Sequence, residues 1–199
     1  MKKMNRALMR SITAVMCISM MPGLSSCAAG TAAVNSPEPT PEVSTEPASR
    51  TGKRIYFAGP LFSQGEKDWN LQVVKVLEDN GYEVFLPQRD GYLAAELEGM
   101  TEEELIDLVF KKDFDEVLKA DIVFVLLDGR VPDEGACVEL GIAYANDKRC
   151  YGFKTDARSV EKSMDLNPMI AGCLTKLFYD MDGGRLLETL DQYLSENEL

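Results

Sequence analysis

The sequence that decides the fold is IVFVLLDGRVPDEGACVELGIA, residues 122–143. Its first six residues are all apolar, which predicts a strand buried on both faces of a parallel sheet. Asp133 is typical of a helix N-cap, so residues 134–146 are predicted to form the next helix. The carboxyl end of the strand and the amino end of the helix therefore meet at residues 128–133, where open α/β sheets bind ligands.

Two of the carboxylates in this stretch, Asp133 and Glu139, lie six residues apart. Glu139 is about a turn and a half inside the predicted helix. Its apolar neighbours Val138, Leu140 and Ile142 indicate a largely buried helix, and burying an unpartnered carboxylate is costly. The pair is therefore a candidate for carboxylate chemistry on a small molecule. The same spacing also fits an aspartate that only caps the helix and a glutamate that is solvated.

Strands alternate with helices along the rest of the domain, which predicts an α/β fold with a parallel sheet. The five predicted strands are residues 54–58, 82–86, 122–127, 150–154 and 174–179. The other predicted helices are residues 67–80, 101–119 and 184–194, and loops are predicted at 87–91 and 155–169. We expect one domain, residues 53–199, without internal repeats.

The first 26 residues have the features of an export signal, with a basic start and a mostly apolar segment at 11–24. They end in Leu24-Ser25-Ser26-Cys27, which resembles a bacterial lipoprotein lipobox. The resemblance implies cleavage before Cys27 and lipidation of its sulfur, so that the domain is exported and anchored to the bacterial cell membrane. An ordinary secretory signal and an uncleaved anchor are the alternatives. Residues 27–52 are rich in Pro, Thr and Glu and predict an extended tether.

Charge and composition exclude several functions. The net charge is −12, and without residues 1–26 it is −16, because 17 of the 21 basic residues then face 33 acidic ones. Such a surface disfavours nucleic-acid binding. The chain has no histidine, which removes Ser-His and Cys-His nucleophiles and imidazole metal sites. Its five cysteines lack zinc spacing, so we predict no metal and no cofactor. Cys137, Cys150 and Cys173 are expected to be buried and reduced.

Several segments taken together resemble the nucleoside 2-deoxyribosyltransferase family, occur in family order and span most of residues 53–180. They are YFAGPLF at 56–62, the aspartate-bearing helical segment from Lys112-Asp113 to Ala120-Asp121, Asp128-Gly129, DEGACVELG at 133–141, TDAR at 155–158 and NPM at 167–169. The resemblance implies a flavodoxin-like, doubly wound sheet and a homo-oligomer. It implies 2-deoxynucleosides and free bases as ligands.

The resemblance also implies the roles of four residues. Glu139 is the nucleophile that attacks the anomeric carbon, and Tyr56 orients it. Asp113 and Asp133 lie near the base and the sugar, and one of them, held protonated, donates to the departing base. The residues alone do not decide which aspartate is protonated. Tyr56 also fits a core aromatic, and Asp113 a solvated helix residue.

Further residues match the binding positions of the family. They are Gly59, Pro60, Phe62, Asp128, Gly129, Asn167 and Met169. Asn167 resembles a family asparagine that hydrogen-bonds the sugar hydroxyl and often comes from a neighbouring subunit; an Asn-Pro turn is its alternative reading.

The function that the resemblance implies is transfer of the 2-deoxyribosyl group between bases through a glutamyl intermediate, with hydrolysis when no acceptor base is present. One alternative is a deoxynucleoside 5′-monophosphate N-glycosidase, for which Ser63, Gly65 and Arg89 are a candidate phosphate cradle. The other is a catalytically silent, lipid-anchored nucleoside-binding module.

Overall fold

The computed structural model describes residues 52–92, 94–159 and 164–199. Cys27, the predicted export signal and the tether up to residue 51 lie outside this part of the chain. The domain is built on five parallel strands in the order β2-β1-β3-β4-β5. The strands are β1 (Arg54–Ala58), β2 (Glu83–Phe85), β3 (Ile122–Leu126), β4 (Arg149–Lys154) and β5 (Lys176–Tyr179). The predicted flavodoxin-like, five-stranded α/β domain is confirmed.

Helices connect the strands. They are α1 (Gln64–Asp79), α2 (Pro87–Asp90), α3 (Glu102–Lys119), α4 (Glu134–Ala145), α5 (Pro168–Cys173) and α6 (Gly183–Glu196), with a short 3₁₀ turn at Ala94–Glu96. The predicted capping box at the start of α3 is present, because Thr101 and Glu104 bond reciprocally. A second capping box, Ser63 with Glu66, starts α1 three residues earlier than predicted.

Two segments that were predicted as loops contain helix. Residues 87–90 form one turn, since Pro87 presets the backbone of a first helical position. Asn167 caps α5 and Pro168 begins it, so the predicted loop ends at residue 166. Because α5 extends to Cys173, β5 begins at Lys176 rather than at residue 174.

The sheet separates two hydrophobic cores. One face packs Ile55, Phe57 and Phe124 against α1 and α6, and the other packs Tyr56 and Val123 among residues of α3 and α4. Successive strand residues point to opposite faces, which is why Tyr56 lies on the α3–α4 face between two residues of the other core. All five residues of β3 are buried, as its apolar run predicts.

Helix α4 is only partly as predicted. Leu140 and Ala143 are buried, but Val138 is 57% exposed and does not help to bury Glu139. No helix among the described residues is both long enough and apolar enough to cross a membrane.

The two edges of the sheet differ. At the amino edge, the ammonium of Lys53 contacts Leu199 O and Glu198, at 2.7 and 2.8 Å, and Leu199 N donates to the Tyr82 hydroxyl. At the carboxyl edge, β1 lies between β2 and β3, so the loops that follow β1 and β3 diverge. This is the topological switch point at which doubly wound sheets bind ligands.

Candidate active site

Tyr56 and Glu139 form the centre of the site. The hydroxyl of Tyr56, whose side chain is fully buried in the middle of β1, donates to Glu139 Oε1 over 2.7 Å. Glu139 projects from the second turn of α4, and the alternation of β1 turns Tyr56 towards that helix. The predicted pair is therefore brought together. Tyr56 is both a core aromatic and a hydrogen-bond donor to the carboxylate.

Burial sets the acidity of both groups. It raises the pKa of the Glu139 carboxyl to about 8, with the charges of Asp113 and Asp133 acting in the same direction and the Tyr56 hydrogen bond opposing them. Burial also raises the pKa of the Tyr56 phenol far above its ordinary value, and the neighbouring Glu139 adds to that effect. The phenol therefore stays a donor at every physiological pH, whereas the carboxyl changes charge near neutrality.

The charges of Asp113 and Asp133 both act on Glu139. Asp113, on α3, is partly buried, and this burial raises its pKa, whereas the ammonium of Lys112 opposes the rise. Asp133 caps α4 by accepting a hydrogen bond from Ala136 N at 2.8 Å. Asp133 therefore caps the helix that carries Glu139 and also contributes a charge that acts on it.

The floor beside Tyr56 is aromatic. The ring of Phe85, on the neighbouring strand β2, lies 5.6 Å from the Tyr56 ring at an interplanar angle of 16°. The ammonium of Lys112 sits 5.7 Å from the centre of the Phe85 ring and 5.0 Å from that of Tyr92. Sequence reasoning missed these three residues. The only signal for Lys112 was its place beside Asp113, which does not show where its ammonium lies.

Asp128 is an anchor between two loops. Its carboxylate accepts hydrogen bonds from Thr155 N, the Thr155 hydroxyl and Asp156 N, at 2.6, 2.6 and 2.8 Å. Asp156 in turn accepts from Gly129 N at 3.0 Å and pairs with Arg158. These contacts lower the pKa of the Asp156 carboxyl well below its ordinary value, chiefly through the Arg158 hydrogen bond. We call these four loop residues and Arg158 the loop clasp.

Gly129 has a conformational reason to be glycine. Its φ is +113°, and a Cβ atom there would lie 2.8 Å from Val131 O. Any other residue at 129 would strain the turn that leads from β3 to α4. The turn exposes Val131 and brings Gly129 N to Asp156.

Two open cavities meet at the switch point. The cavity of about 440 Å³ lies between the β1 loop, Trp69 of α1 and the loop clasp. The cavity of about 620 Å³ lies between Phe62, Val131 and the start of α4. Pro60, Glu66, Asp128 and Gly129 border both. Glu139 and Tyr56 are not among the described residues that line either cavity, and Asp133 joins the larger one to the Glu139 centre.

The predicted binding residues fall into two groups. A Cβ atom at Gly59 would lie 3.1 Å from the Leu126 side chain. Pro60 lines both cavities, and Phe62 lines the larger one and is 79% exposed. The carboxamide oxygen of Asn167 accepts a hydrogen bond from Met169 N at 2.9 Å, and the Met169 side chain is 79% exposed. Asn167 and Pro168 therefore form the capped start of α5, and the side chains of Asn167 and Met169 are exposed on this copy of the chain.

Cysteine and metal chemistry contribute little in the described part of the chain. Its cysteines, Cys137, Cys150 and Cys173, are free thiols; Cys150 is buried as expected, but the other two are partly exposed. Burial raises the pKa of the Cys137 thiol, so it is not an activated nucleophile. Among the described residues, no cluster of cysteine and carboxylate side chains has the arrangement to hold a metal ion.

Comparison with known proteins agrees with this geometry. The family model for nucleoside 2-deoxyribosyltransferases matches residues 55–189. The structure of a 2-deoxyribosyltransferase from Bacillus psychrosaccharolyticus is 28% identical, with a TM-score of 0.54, and the match covers 69% of this chain and 95% of that one. A conserved protein from Enterococcus faecalis V583 is 25% identical, with a TM-score of 0.57 and coverage of 70% and 98%.

More distant likeness supports the fold alone. A 2-deoxyribosyltransferase from Leishmania mexicana is 20% identical, with a TM-score of 0.52, and the match covers 74% of this chain and 99% of that one. A search of curated proteins found no match to the sequence. The family model spans most of the described domain, including Tyr56, Asp113, Asp133 and Glu139. The chain therefore belongs to the nucleoside 2-deoxyribosyltransferase family.

Proposed function

We propose that this protein is an enzyme that moves the 2-deoxyribosyl group of a nucleoside from one purine or pyrimidine base to another, and hydrolyses the nucleoside when no acceptor base is present. The observation that carries the proposal is the hydrogen bond from Tyr56 to a partly buried Glu139, on which the charges of Asp113 and Asp133 act. Family membership and the likeness to the Bacillus psychrosaccharolyticus enzyme support it.

The reaction has two balanced steps. Ionised Glu139 attacks the anomeric carbon and forms a C–O ester bond, while the glycosidic C–N bond breaks and its electron pair leaves on the base nitrogen. A neighbouring carboxyl group, Asp113 or Asp133, gives that nitrogen its proton. In the second step an acceptor base, or water, attacks the same carbon and returns Glu139 to its carboxylate form.

The Tyr56 hydrogen bond favours the charged form of Glu139 that the first step needs. Burial works against that form, so the free site holds a proton on Glu139 at neutral pH. A buried carboxylate that has lost its water shell is also a stronger nucleophile than a solvated one. The 2-deoxy sugar suits the chemistry, since without a 2-hydroxyl group positive charge at the anomeric carbon is less costly.

The charges of the cavities favour unphosphorylated nucleosides. Carboxylates of Glu66, Asp128, Asp133, Glu134 and Asp156 line the two cavities. Arg158 is the only cation among the described lining residues, and it is paired with Asp156. A phosphate dianion entering this space would meet like charge on most sides.

The groups around the predicted phosphate cradle have other partners in this structure. The Glu66 carboxylate accepts hydrogen bonds from Phe62 N and Ser63 N at 3.0 and 2.7 Å, so the start of α1 is filled by its own side chain. Arg89 pairs with Glu78 and Asp90 at 2.8 and 2.9 Å. The 5′-monophosphate glycosidase is therefore the weaker reading of this site.

Base exchange tests the proposal directly. Purified protein incubated with deoxyinosine and adenine should yield deoxyadenosine and hypoxanthine, separated by chromatography. Glu139→Gln should lower the rate by at least about 10³-fold, as expected for loss of a covalent nucleophile. Glu188→Gln, an exposed change on α6, is the matched control.

Three results would contradict parts of the proposal. Unchanged turnover in Glu139→Gln would reject the covalent mechanism. Faster turnover of deoxyinosine 5′-monophosphate than of deoxyinosine would favour the glycosidase. Calorimetric binding of deoxyinosine with no product, with or without adenine, would show a binding module instead of an enzyme.

We propose further that the protein is a homo-oligomer. Ile106 and Phe110 on α3 and Val138 on α4 are each more than half exposed, at 59%, 58% and 57%, and these helices pack beside each other. Apolar side chains of this kind are typical of a covered surface, and a second copy would also bring an outward-facing Asn167 towards a neighbouring site. Sedimentation of wild type against Phe110→Glu tests this, because the variant should dissociate.

The sequence supports a lipid anchor at Cys27, and we propose that the domain is held outside the cell membrane. Mass spectrometry of the membrane fraction should find a diacylglycerol on Cys27 in wild type and an unprocessed or soluble chain for Cys27→Ser. Finding the unmodified wild-type chain free in the cytoplasm would overturn the proposal.

A further inference from the structure

Lys154 carries a buried charge that the proposed reaction does not use. It is the last residue of β4, at the carboxyl edge of the sheet, and it is only 2% exposed. Its ammonium donates to the backbone carbonyls of Asp156 and Arg158, the second at 3.0 Å, and lies 5.1 Å from the centre of the Tyr179 ring. Burying an ammonium is costly unless its donors are satisfied, and here the carbonyls of one loop satisfy them.

The loop that Lys154 binds, residues 155–158, is held from two sides. Lys154 binds two of its carbonyl oxygens, while the Asp128 carboxylate accepts from the amides of Thr155 and Asp156 at 2.6 and 2.8 Å. A cation therefore fixes acceptors of this loop, and an anion fixes its donors. The lysine comes from β4 and the aspartate from the loop after β3, so two neighbouring strands set the path of the loop.

The held loop is a wall of one cavity and not of the other. Thr155, Asp156 and Arg158 line the cavity of about 440 Å³, and none of them is among the described residues that line the cavity of about 620 Å³. Asp133, whose charge acts on Glu139, lines only the larger cavity. The wall that Lys154 supports therefore belongs to the side of the site that carries no proposed catalytic residue.

We propose that Lys154 is a positioning residue: it holds residues 155–158 as a preformed wall of the smaller cavity, and this wall contacts a part of the nucleoside that does not react. The inference deepens the proposed function and rests on it for the identity of the ligand. A loop that is already ordered loses less entropy when a ligand binds, so its order contributes to affinity. Lys154 therefore acts on KM and leaves kcat nearly unchanged.

Lys176 provides a matched control. It lies on the neighbouring strand β5, it is exposed, and its ammonium also sits over aromatic rings, 5.3 Å from the centre of Phe178 and 4.8 Å from that of Tyr193. Lys154→Met removes the buried ammonium but keeps an unbranched apolar stem, and Lys176→Met removes an equal charge at the surface. Lys154→Arg keeps the charge and the hydrogen-bond donors.

The first measurement is hydrogen–deuterium exchange of the free protein. In Lys154→Met, the peptide that covers residues 155–158 should exchange at least about fivefold faster than in wild type, whereas peptides from β3 and α1 should be unchanged. Lys154→Arg and Lys176→Met should match wild type. An unchanged loop in Lys154→Met would overturn the proposal. Equal acceleration in every peptide would also overturn it, because Lys154 would then contribute only to overall stability.

The second measurement is kinetic. For base exchange, Lys154→Met should raise KM for deoxyinosine at least about fivefold and keep kcat within about twofold, and Lys154→Arg should restore most of the wild-type affinity. A fall in kcat at unchanged KM would contradict the positioning role. A loss in Lys154→Arg or Lys176→Met as large as that in Lys154→Met would contradict it as well.

Failure of the proposed function is distinguishable from failure of this inference. If wild type showed no base exchange, the proposed function would fail, but calorimetry would still measure the affinity for deoxyinosine. In the Glu139→Gln background, adding Lys154→Met should weaken binding at least about fivefold, whereas adding Lys176→Met should not. Equal affinities with and without Lys154→Met would overturn the inference.

Discussion

Two groups of carboxylates lie at the same edge of the sheet and have opposite properties. Around Glu139, burial keeps water away and few donors replace it, so the pKa of the carboxyl rises to about 8. In the loop clasp, Asp128 accepts three hydrogen bonds, and Asp156 is surrounded by donors that lower its pKa. Both groups are carboxylates near the same edge of the sheet. The number of hydrogen-bond donors around a carboxylate decides whether it titrates near neutral pH or stays ionised and anchors a loop.

The comparison also explains how the two regions divide the work. The clasp ties the loop after β3 to the loop after β4, and the lowered pKa of Asp156 keeps that carboxylate ionised throughout the physiological range. That fixes the wall of the cavities independently of pH. The Glu139 centre, which lies on the other side of Asp133 from the cavities, can then titrate without moving the wall.

The largest expected effect is on the pH dependence of stability. The folded-state pKa of Glu139 is raised from 4.5 to about 8, so between these values the folded state binds more protons than the unfolded state. The free energy of unfolding of wild type should therefore fall as pH rises from 5 to 9. Relative to Glu139→Gln, the loss should be on the order of 4 kcal/mol, measured by urea unfolding. Parallel curves of unfolding free energy against pH for the two proteins would show that the pKa of Glu139 is not raised in the folded state.

Removal of the clasp anchor should come next. Asp128→Ala leaves the Thr155 and Asp156 amides without their acceptor, and we expect the free energy of unfolding to fall by about 3 kcal/mol. The substitution Asp107→Ala, at an exposed position on α3, should lower the free energy of unfolding by less than about 0.5 kcal/mol. If both variants lost the same small amount, Asp128 would not be the anchor that its hydrogen bonds indicate.

Loss of the Tyr56 hydroxyl should have an intermediate effect. Tyr56→Phe removes a donor that stabilises the Glu139 carboxylate, so the pKa of Glu139 should rise and the acid limb of kcat/KM should move to higher pH. At pH 7 the rate of base exchange should fall about tenfold. Tyr144→Phe, on the exposed part of α4, should keep the wild-type profile. A limb that moves to lower pH would contradict the geometry.

The smallest effect is expected at the surface of the clasp. Arg158→Met removes the main cause of the lowered pKa of Asp156, and the lost stability should be present at neutral pH and vanish as pH falls through the acid range. The effect should be small because the Arg158 side chain is 61% exposed. Comparing unfolding at pH 7 and pH 3 checks the sign. A deficit that grows in acid would be inconsistent with this pairing.

Much of the fold could be predicted because its patterns are local. The apolar run of β3, the Asp133 cap and the Thr101–Glu104 box each act within a few residues, and each is present in the structure. The errors are also local. Helix α5 is too short for a hydrophobic period to show. Helix α4 is apolar on nearly every side, so its sequence does not show which face is buried, and the exposure of Val138 could not be predicted.

The contact between Tyr56 and Glu139 could be predicted through the motifs, but the contacts of the residues around them could not. Tyr56 and Glu139 are 83 residues apart, and only the matched segments indicated that they meet. The position of the Lys112 ammonium and the hydrogen bonds of Asp128 depend on tertiary contacts between different strands, helices and loops. Asp128 looked like a binding residue from its position, whereas its oxygen atoms are already engaged by the neighbouring loop.

The place where Lys53 enters the sheet has a consequence for orientation. Lys53 lies at the amino edge, beside Leu199 and Glu198, whereas the cavities open at the carboxyl edge. Anything that holds the protein by the residues before Lys53 therefore pulls on the end remote from the opening. An attachment made at that end would leave the openings of both cavities clear.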